Sequence, residues 1–169
     1  TASQKRKGFA DWNQIRDLVD LVSIPVIGNG DIQIASDVES MLEQTQCDMV
    51  MAGRALTARP WLFWQLGEKL GFPPPPGRFG KAPQTPQEEG AEYGRSLLRL
   101  IDLMAEAFPA PLAYRKFNFH VKTSAVWLPF GHALHSRVSG AKNLQGAKKV
   151  VEAFFESPHE MSPKTFLRQ

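Results

Sequence analysis

The sequence predicts an α/β segment followed by an all-α one. Two short apolar runs, Ile24 to Gly28 and Asp48 to Ala52, each lead into glycine and a polar residue, and a helix-length stretch separates them. That is the pattern of two parallel strands joined by a crossover helix. After residue 85 the apolar spacing is helical only, and the four prolines Pro73 to Pro76 mark the change.

Composition bounds the rest. With 169 residues, 43% hydrophobic and 22% charged, the chain is long enough for one or two cores of ordinary globular character. Cys47 is the only cysteine, which excludes an internal disulfide and a cysteine-based zinc cluster and fits a reducing, cytoplasmic setting. No run of eighteen apolar residues occurs, and the start, Thr1 to Lys7, lacks the apolar core of a secretory signal. The missing initiator methionine and the presence of only two strands lead us to expect a fragment.

Charge is unevenly spread. The net charge is +3, yet residues 107 to 151 carry no acid and seven bases: Arg115, Lys116, Lys122, Arg137, Lys142, Lys148 and Lys149. An acid-free stretch of that kind reads either as a solvated basic surface or as a face for a polyanion such as nucleic acid.

In chain order, Asp11 with Gln14 resembles a capping box ahead of Ile15, Leu18, Val19 and Val22, giving a helix over residues 11–22 in which Trp12 is a packing anchor. The strand Ile24 to Gly28 is continuously apolar, as for a strand covered on both faces, with Pro25 tolerated near its start. Ile34, Val38, Met41 and Leu42 form the stripe of the crossover helix, for which Asp31 is the expected cap. Cys47, ahead of the second strand, reads as a buried structural thiol. Pro60 opens a further helix that packs through Trp61, Leu62 and Leu66.

Residues 71–85 read as a linker, so the expected domains are residues 1–70, a helical domain over 86–157 and a tail over 158–169. Thr85-Pro86-Gln87-Glu88 is a strong helix start for a long helix through Leu97, Leu98, Ile101, Met104 and Phe108. A second helix runs through Arg115, Phe119 and Lys122 toward Trp127 and stops at Pro129 and Gly131. A polar interval follows, and Asn143 caps a last helix with Val150, Val151, Phe154 and Phe155 inward.

The chemistry expected at the strand ends is anion binding. Glycines around Asn29-Gly30-Asp31 allow a sharp turn with exposed amides, and Gly53 with the guanidinium of Arg54 lies at the equivalent end of the next strand. Together Asn29, Gly30, Gly53 and Arg54 suit a phosphate-bearing ligand, with Arg59 either on the same rim or on the surface. His120, His132, His135 and His159 lack carboxylate or cysteine companions at metal-ligand spacing, so no metal site is expected.

Gly8 to Trp12, Ile24 to Ile32, Cys47 to Arg54 and Pro60 to Phe63 resemble, in order and spacing, the flavin-dependent tRNA-dihydrouridine synthases, especially the bacterial type B branch. The resemblance is high over residues 8–66 and weaker beyond. It implies the last two strand units of a (β/α)8 TIM barrel that binds FMN, followed by a helical domain that helps hold tRNA. NADPH reduces the flavin in that family, and the flavin reduces a uridine extruded from the RNA.

By the same resemblance Asn29, Gly30, Gly53 and Arg54 match positions around the FMN phosphate. The family's cysteine acid belongs to an earlier loop, so no residue here takes a catalytic role, and Cys47 is not its counterpart. Arg115 and His120 match the ends of the family's basic helix motif, while Asn118 and Phe119 replace its two central bases. Lys116, Lys122, Arg137, Lys142, Lys148 and Lys149 are the further candidates for RNA contact, as phosphate-positioning groups.

The expectation is a chain that needs the missing part of the enzyme for activity. The alternatives are a noncatalytic RNA-binding protein derived from a synthase, or another FMN-dependent TIM-barrel oxidoreductase.

Overall fold

A computed structural model describes residues 8–165, in two compact units divided between Ala55 and Leu56. In the first, helix α1 (Asn13–Leu21) precedes strand β1 (Ile27–Asn29), helix α2 (Ala35–Thr45) and strand β2 (Met49–Met51). The strands are parallel, with Ile27 opposite Met49 and Asn29 opposite Met51, so α2 is the crossover.

The buried side of α2 is Asp37, Met41 and Thr45, whereas Leu42 of the expected stripe is exposed. Asp37 caps α2 by accepting hydrogen bonds from the backbone N–H groups of Gln33 and Ile34 at 2.9 and 3.1 Å. Asp31, the expected cap, is engaged elsewhere. Cys47 is buried, and its thiol donates to the Met49 carbonyl at 3.3 Å, a structural arrangement.

The expected barrel segment is not what forms. Among the described residues the sheet is a single open pair of three-residue strands, and everything else regular is helix. The first strand begins three residues later than its apolar run. Ile24 is exposed, and at Val26 only the carbonyl meets the backbone of the second strand, accepting from the Asp48 and Met49 N–H groups, while its own N–H donates to the Asp48 carboxylate. Ile27, Met49 and Met51 share one face by the two-residue alternation of strands, and all three are about half exposed. The apolar run had suggested a strand covered on both faces, and this sheet is covered on one.

The second unit is a helical bundle. Helix α3 (Ala55–Ala58), which spans the division, is followed by α4 (Leu62–Lys69), α5 (Pro86–Ala107), α6 (Ala110–Ser124), a 3₁₀ turn (Ala125–Trp127), α7 (Gly131–Ser139) and α8 (Leu144–Phe154). Its core joins Trp61 and Trp64 to Tyr93, Leu97 and Ile101 of α5, Phe117 and Val121 of α6, Leu134 and Val138 of α7, and Val151 and Phe154 of α8. The division therefore falls before the expected linker. Residues 71–85 carry no regular element, but α4 ahead of them packs with the helices behind them.

The starts of α5 and α8 follow the sequence signals, whereas the N-cap position of α1 is Trp12 rather than Asp11. Thr85 accepts from the Glu88 N–H, and the Glu88 carboxylate accepts from the N–H groups of Gln84 and Thr85, which holds its pKa below the ordinary carboxylate value. Asn143 Oδ1 accepts from the Gly146 N–H at 2.8 Å at the start of α8.

Helix α7 occupies the interval expected to be irregular. Its first residue must be glycine, because a Cβ on Gly131 would lie 1.8 Å from the Ala125 carbonyl oxygen. Phe130 ahead of it takes a left-handed φ of 60°.

A buried ion pair ties the end of α3 to α5 and to the last part of the chain. Arg59 is fully buried, and its Nε and one terminal nitrogen donate to Glu89 Oε2 at 3.3 and 3.2 Å. The other Glu89 oxygen accepts from Trp61 Nε1 at 3.1 Å and Gln65 Nε2 at 3.0 Å. Arg59 also donates to the Ser162 carbonyl at 2.5 Å. Arg59 is thus a packing residue of the bundle, neither a rim residue nor a surface one.

Candidate phosphate loop and nucleic-acid interface

Parallel pairing sends Gly30-Asp31 and Gly53-Arg54 out of the same end of the sheet. Gly30 has φ 144°, and a Cβ on it would lie 2.5 Å from the Ala10 side chain, so only glycine fits beneath the segment that crosses it. Trp12 fastens that segment by donating its indole N–H to the Gly30 carbonyl at 3.0 Å. The expected anchor is therefore an anchor of the loop itself.

Asp31 follows in the left-handed region at φ 55°, which aspartate tolerates better than most residues. One of its carboxylate oxygens accepts from the Ala10 N–H at 2.6 Å, and the other meets the Arg54 guanidinium at 3.5 Å. The Arg54 side chain remains 57% exposed, so a ligand can reach it from solvent. Gly53 is open, with nothing within 4 Å of the place a side chain would occupy. Asn29 ends β1 exposed, at the same rim.

The structure thus brings Gly30 and Arg54 together through Asp31, a partner that reading along the chain assigned to helix capping. The signal for it was present: an acid directly after the strand-end glycine, on the strand beside the one that leads to arginine.

In the second unit the expected RNA residues separate by what they touch. Ala113, Phe117 and Val121 turn one side of α6 inward, and Arg115, Lys116, Phe119 and Lys122 lie on the other. The Lys116 ammonium sits 5.0 Å from the centre of the Phe108 ring. His120 is largely buried, and that desolvation pushes its pKa below the ordinary histidine value, so at neutral pH it brings no charge.

Farther along, Arg137 is exposed with its guanidinium 5.8 Å from the Phe154 ring centre, and Lys142 and Lys149 are exposed. Lys148 is committed to Asp102 of α5 at 2.8 Å, and that hydrogen bond raises its pKa. His159 stacks on Phe154 at 4.1 Å, and His135 approaches the Ser139 hydroxyl at 3.1 Å. Among the described residues no group of acids, histidines and cysteine is placed to hold a metal ion, and no helix is long and apolar enough to cross a membrane.

The sequence profile of the dihydrouridine synthase family matches residues 1–156. The chain belongs to that family. A Mycobacterium tuberculosis protein named "Probable tRNA-dihydrouridine synthase" is 38% identical over 135 residues, covering 73% of this chain and 35% of that protein. A protein of the same name from Aquifex aeolicus is 44% identical over 69 residues, 41% of this chain and 22% of that protein. The tRNA-dihydrouridine synthase B of Proteus vulgaris is 28% identical over 153 residues, 89% of this chain and 44% of that protein. The chain spans between about a fifth and under half the length of these relatives.

Dihydrouridine synthase membership links the chain to a lineage of RNA-modifying enzymes of the oxidoreductase type. The matched region includes both the strand-end loops and the basic helices.

Proposed function

We propose that this chain is the tRNA-holding part of a type B-like tRNA-dihydrouridine synthase, and that its strand-end loops grip the phosphate of FMN. The observation that carries the proposal is the set of exposed bases, Arg115, Lys116, Lys122, Arg137 and Lys149 on helices and Lys142 in the turn before α8, within residues 107–151, which carry no acid, in a chain of this family. Lysine and arginine at such a surface neutralise phosphates and fix the register of an RNA without reading its bases.

The loop residues fit a phosphate group. Arg54 presents an exposed guanidinium, the open Gly53 lets a ligand approach the backbone, and Gly30 and Asn29 shape the adjacent turn. Asp31 holds Arg54 at that rim. When bound, FMN supplies the hydride for the 5,6 double bond of uridine and is recharged by NADPH. In this reading the residues of this chain bind and orient it.

The test is the native-length protein incubated with FMN, NADPH and unmodified tRNA, with dihydrouridine measured by nucleoside mass spectrometry. FMN-dependent product is the expected result. Tight tRNA binding by a folded protein that takes up no flavin would overturn the proposal in favour of a noncatalytic RNA-binding protein.

A further inference from the structure

We propose that Phe119 is a stacking platform for an unpaired RNA base, set among the cations of α6. The inference deepens the tRNA reading and rests on it.

The rotation of α6 is fixed by its buried stripe, Ala113, Phe117 and Val121. That stripe leaves Arg115, Phe119 and Lys122 on the opposite side, at the i, i+4 and i+7 positions that share one helix face. Phe119 is 66% exposed, so its ring stabilises no core. Two other exposed phenylalanines have neighbours over their rings: Lys116 covers Phe108, and Phe130 leans on His132 at 6.3 Å between ring centres.

A single exposed aromatic is ordinary on a protein surface. What distinguishes Phe119 is its electrostatic setting. Arg115 lies one turn before it and Lys122 one turn after, about 6 and 4.5 Å away along the helix axis. Neither α6 nor α7 contains an acid. An apolar protein partner would gain nothing from cations on both sides of the ring, whereas a nucleotide presents both chemistries: a flat π face for the phenylalanine and a charged phosphate for each base-flanking side chain.

RNA exposes such bases in loops and bulges, where they are splayed from the helix and stack on aromatic side chains. Every base has a π face, so the contact is tolerant of sequence and adds affinity more than selectivity. Phe119 would therefore favour looped RNA over a continuous duplex.

The experiment uses the native-length protein and two probes, an unmodified tRNA transcript and a perfect RNA duplex of equal length. Phe119→Ala should weaken tRNA binding by about 5- to 150-fold, the range for removing one base–aromatic stack. It should leave the dependence of affinity on salt unchanged and barely alter duplex binding. Phe119→Trp should restore tRNA affinity.

Circular dichroism checks that both variants fold, as expected for an exposed position. Arg115→Gln with Lys122→Gln is the reference, and it should lower the salt slope. If Phe119→Ala binds tRNA like the parent while the reference pair weakens it, the stacking role is overturned and RNA binding stands. If neither substitution changes tRNA binding, RNA recognition by α6 fails as well, and the inference fails with it.

Discussion

Replacing Glu89 with leucine should destabilise the helical unit by about 3–5 kcal/mol, the cost of leaving a buried charge without its counter-ion. Arg59 is fully buried, and two of its nitrogens donate to Glu89 at 3.3 and 3.2 Å. Leucine removes that counter-charge and also the acceptor of the Trp61 indole N–H and one acceptor of Gln65. Gln65 retains the Pro83 carbonyl at 2.6 Å, so it stays partly satisfied.

Removing both charges gives the decisive comparison. Arg59→Met combined with Glu89→Leu leaves the buried Trp61 N–H without its acceptor, a penalty of about 1–3 kcal/mol, and takes the Arg59 donor from the half-buried Ser162 carbonyl, which water can replace. The double variant should therefore be about 2 kcal/mol more stable than Glu89→Leu alone. Urea unfolding followed by tryptophan fluorescence reads this directly, since Trp61 sits in the network, and an unchanged m value shows that stability alone has moved. A Glu89→Leu variant within about 1 kcal/mol of the parent would refute the reasoning. So would a double variant less stable than the single one.

Other expectations follow from individual groups. Burial lowers the pKa of His120, so the unfolded chain takes up its proton first; stability should fall as pH drops below about 6.5, and His120→Gln should flatten that limb in pH-dependent urea titrations. Phe130 is 74% exposed at φ 60°, so Phe130→Gly should relieve backbone strain and raise stability by about 1 kcal/mol, seen as a higher urea midpoint. Arg54→Ala should weaken FMN binding, measured by flavin fluorescence on the native-length protein, while changing stability by no more than about 0.5 kcal/mol, because its Asp31 contact is exposed. Unchanged flavin affinity would remove Arg54 from the phosphate site.

What could be read from the sequence was what is local. Thr85-Pro86-Gln87-Glu88 announces α5 because its side chains satisfy the helix's own first N–H groups, and Asn143 does the same for α8. The glycine-polar endings of the two apolar runs placed both loops at one end of a parallel pair, as their register shows.

What depends on distant partners was less legible. Helix α7 has only Leu134 and Val138 as a buried apolar pair, too few for a period, and its start is imposed by the Ala125 carbonyl pressing on Gly131. Arg59 and Glu89 lie 30 residues apart, and nothing in their spacing pairs them. The (β/α)8 expectation extended a two-strand pattern by resemblance. Apolar content does not fix strand length: the regular pairing covers only Ile27–Asn29, and Pro25 has no N–H to extend it backward. Lys148 looked equivalent to Lys149 in the sequence, yet only the fold brings it to Asp102.

The most direct test of tRNA binding by the helical unit is the salt dependence of affinity. The native-length protein and its Arg115→Gln, Lys122→Gln, Lys149→Gln variant would be titrated with tRNA at several salt concentrations. The account predicts weaker binding and a log–log slope reduced by about two to three, close to one counterion for each phosphate that the variant no longer neutralises. Superimposable curves for the two proteins would contradict it.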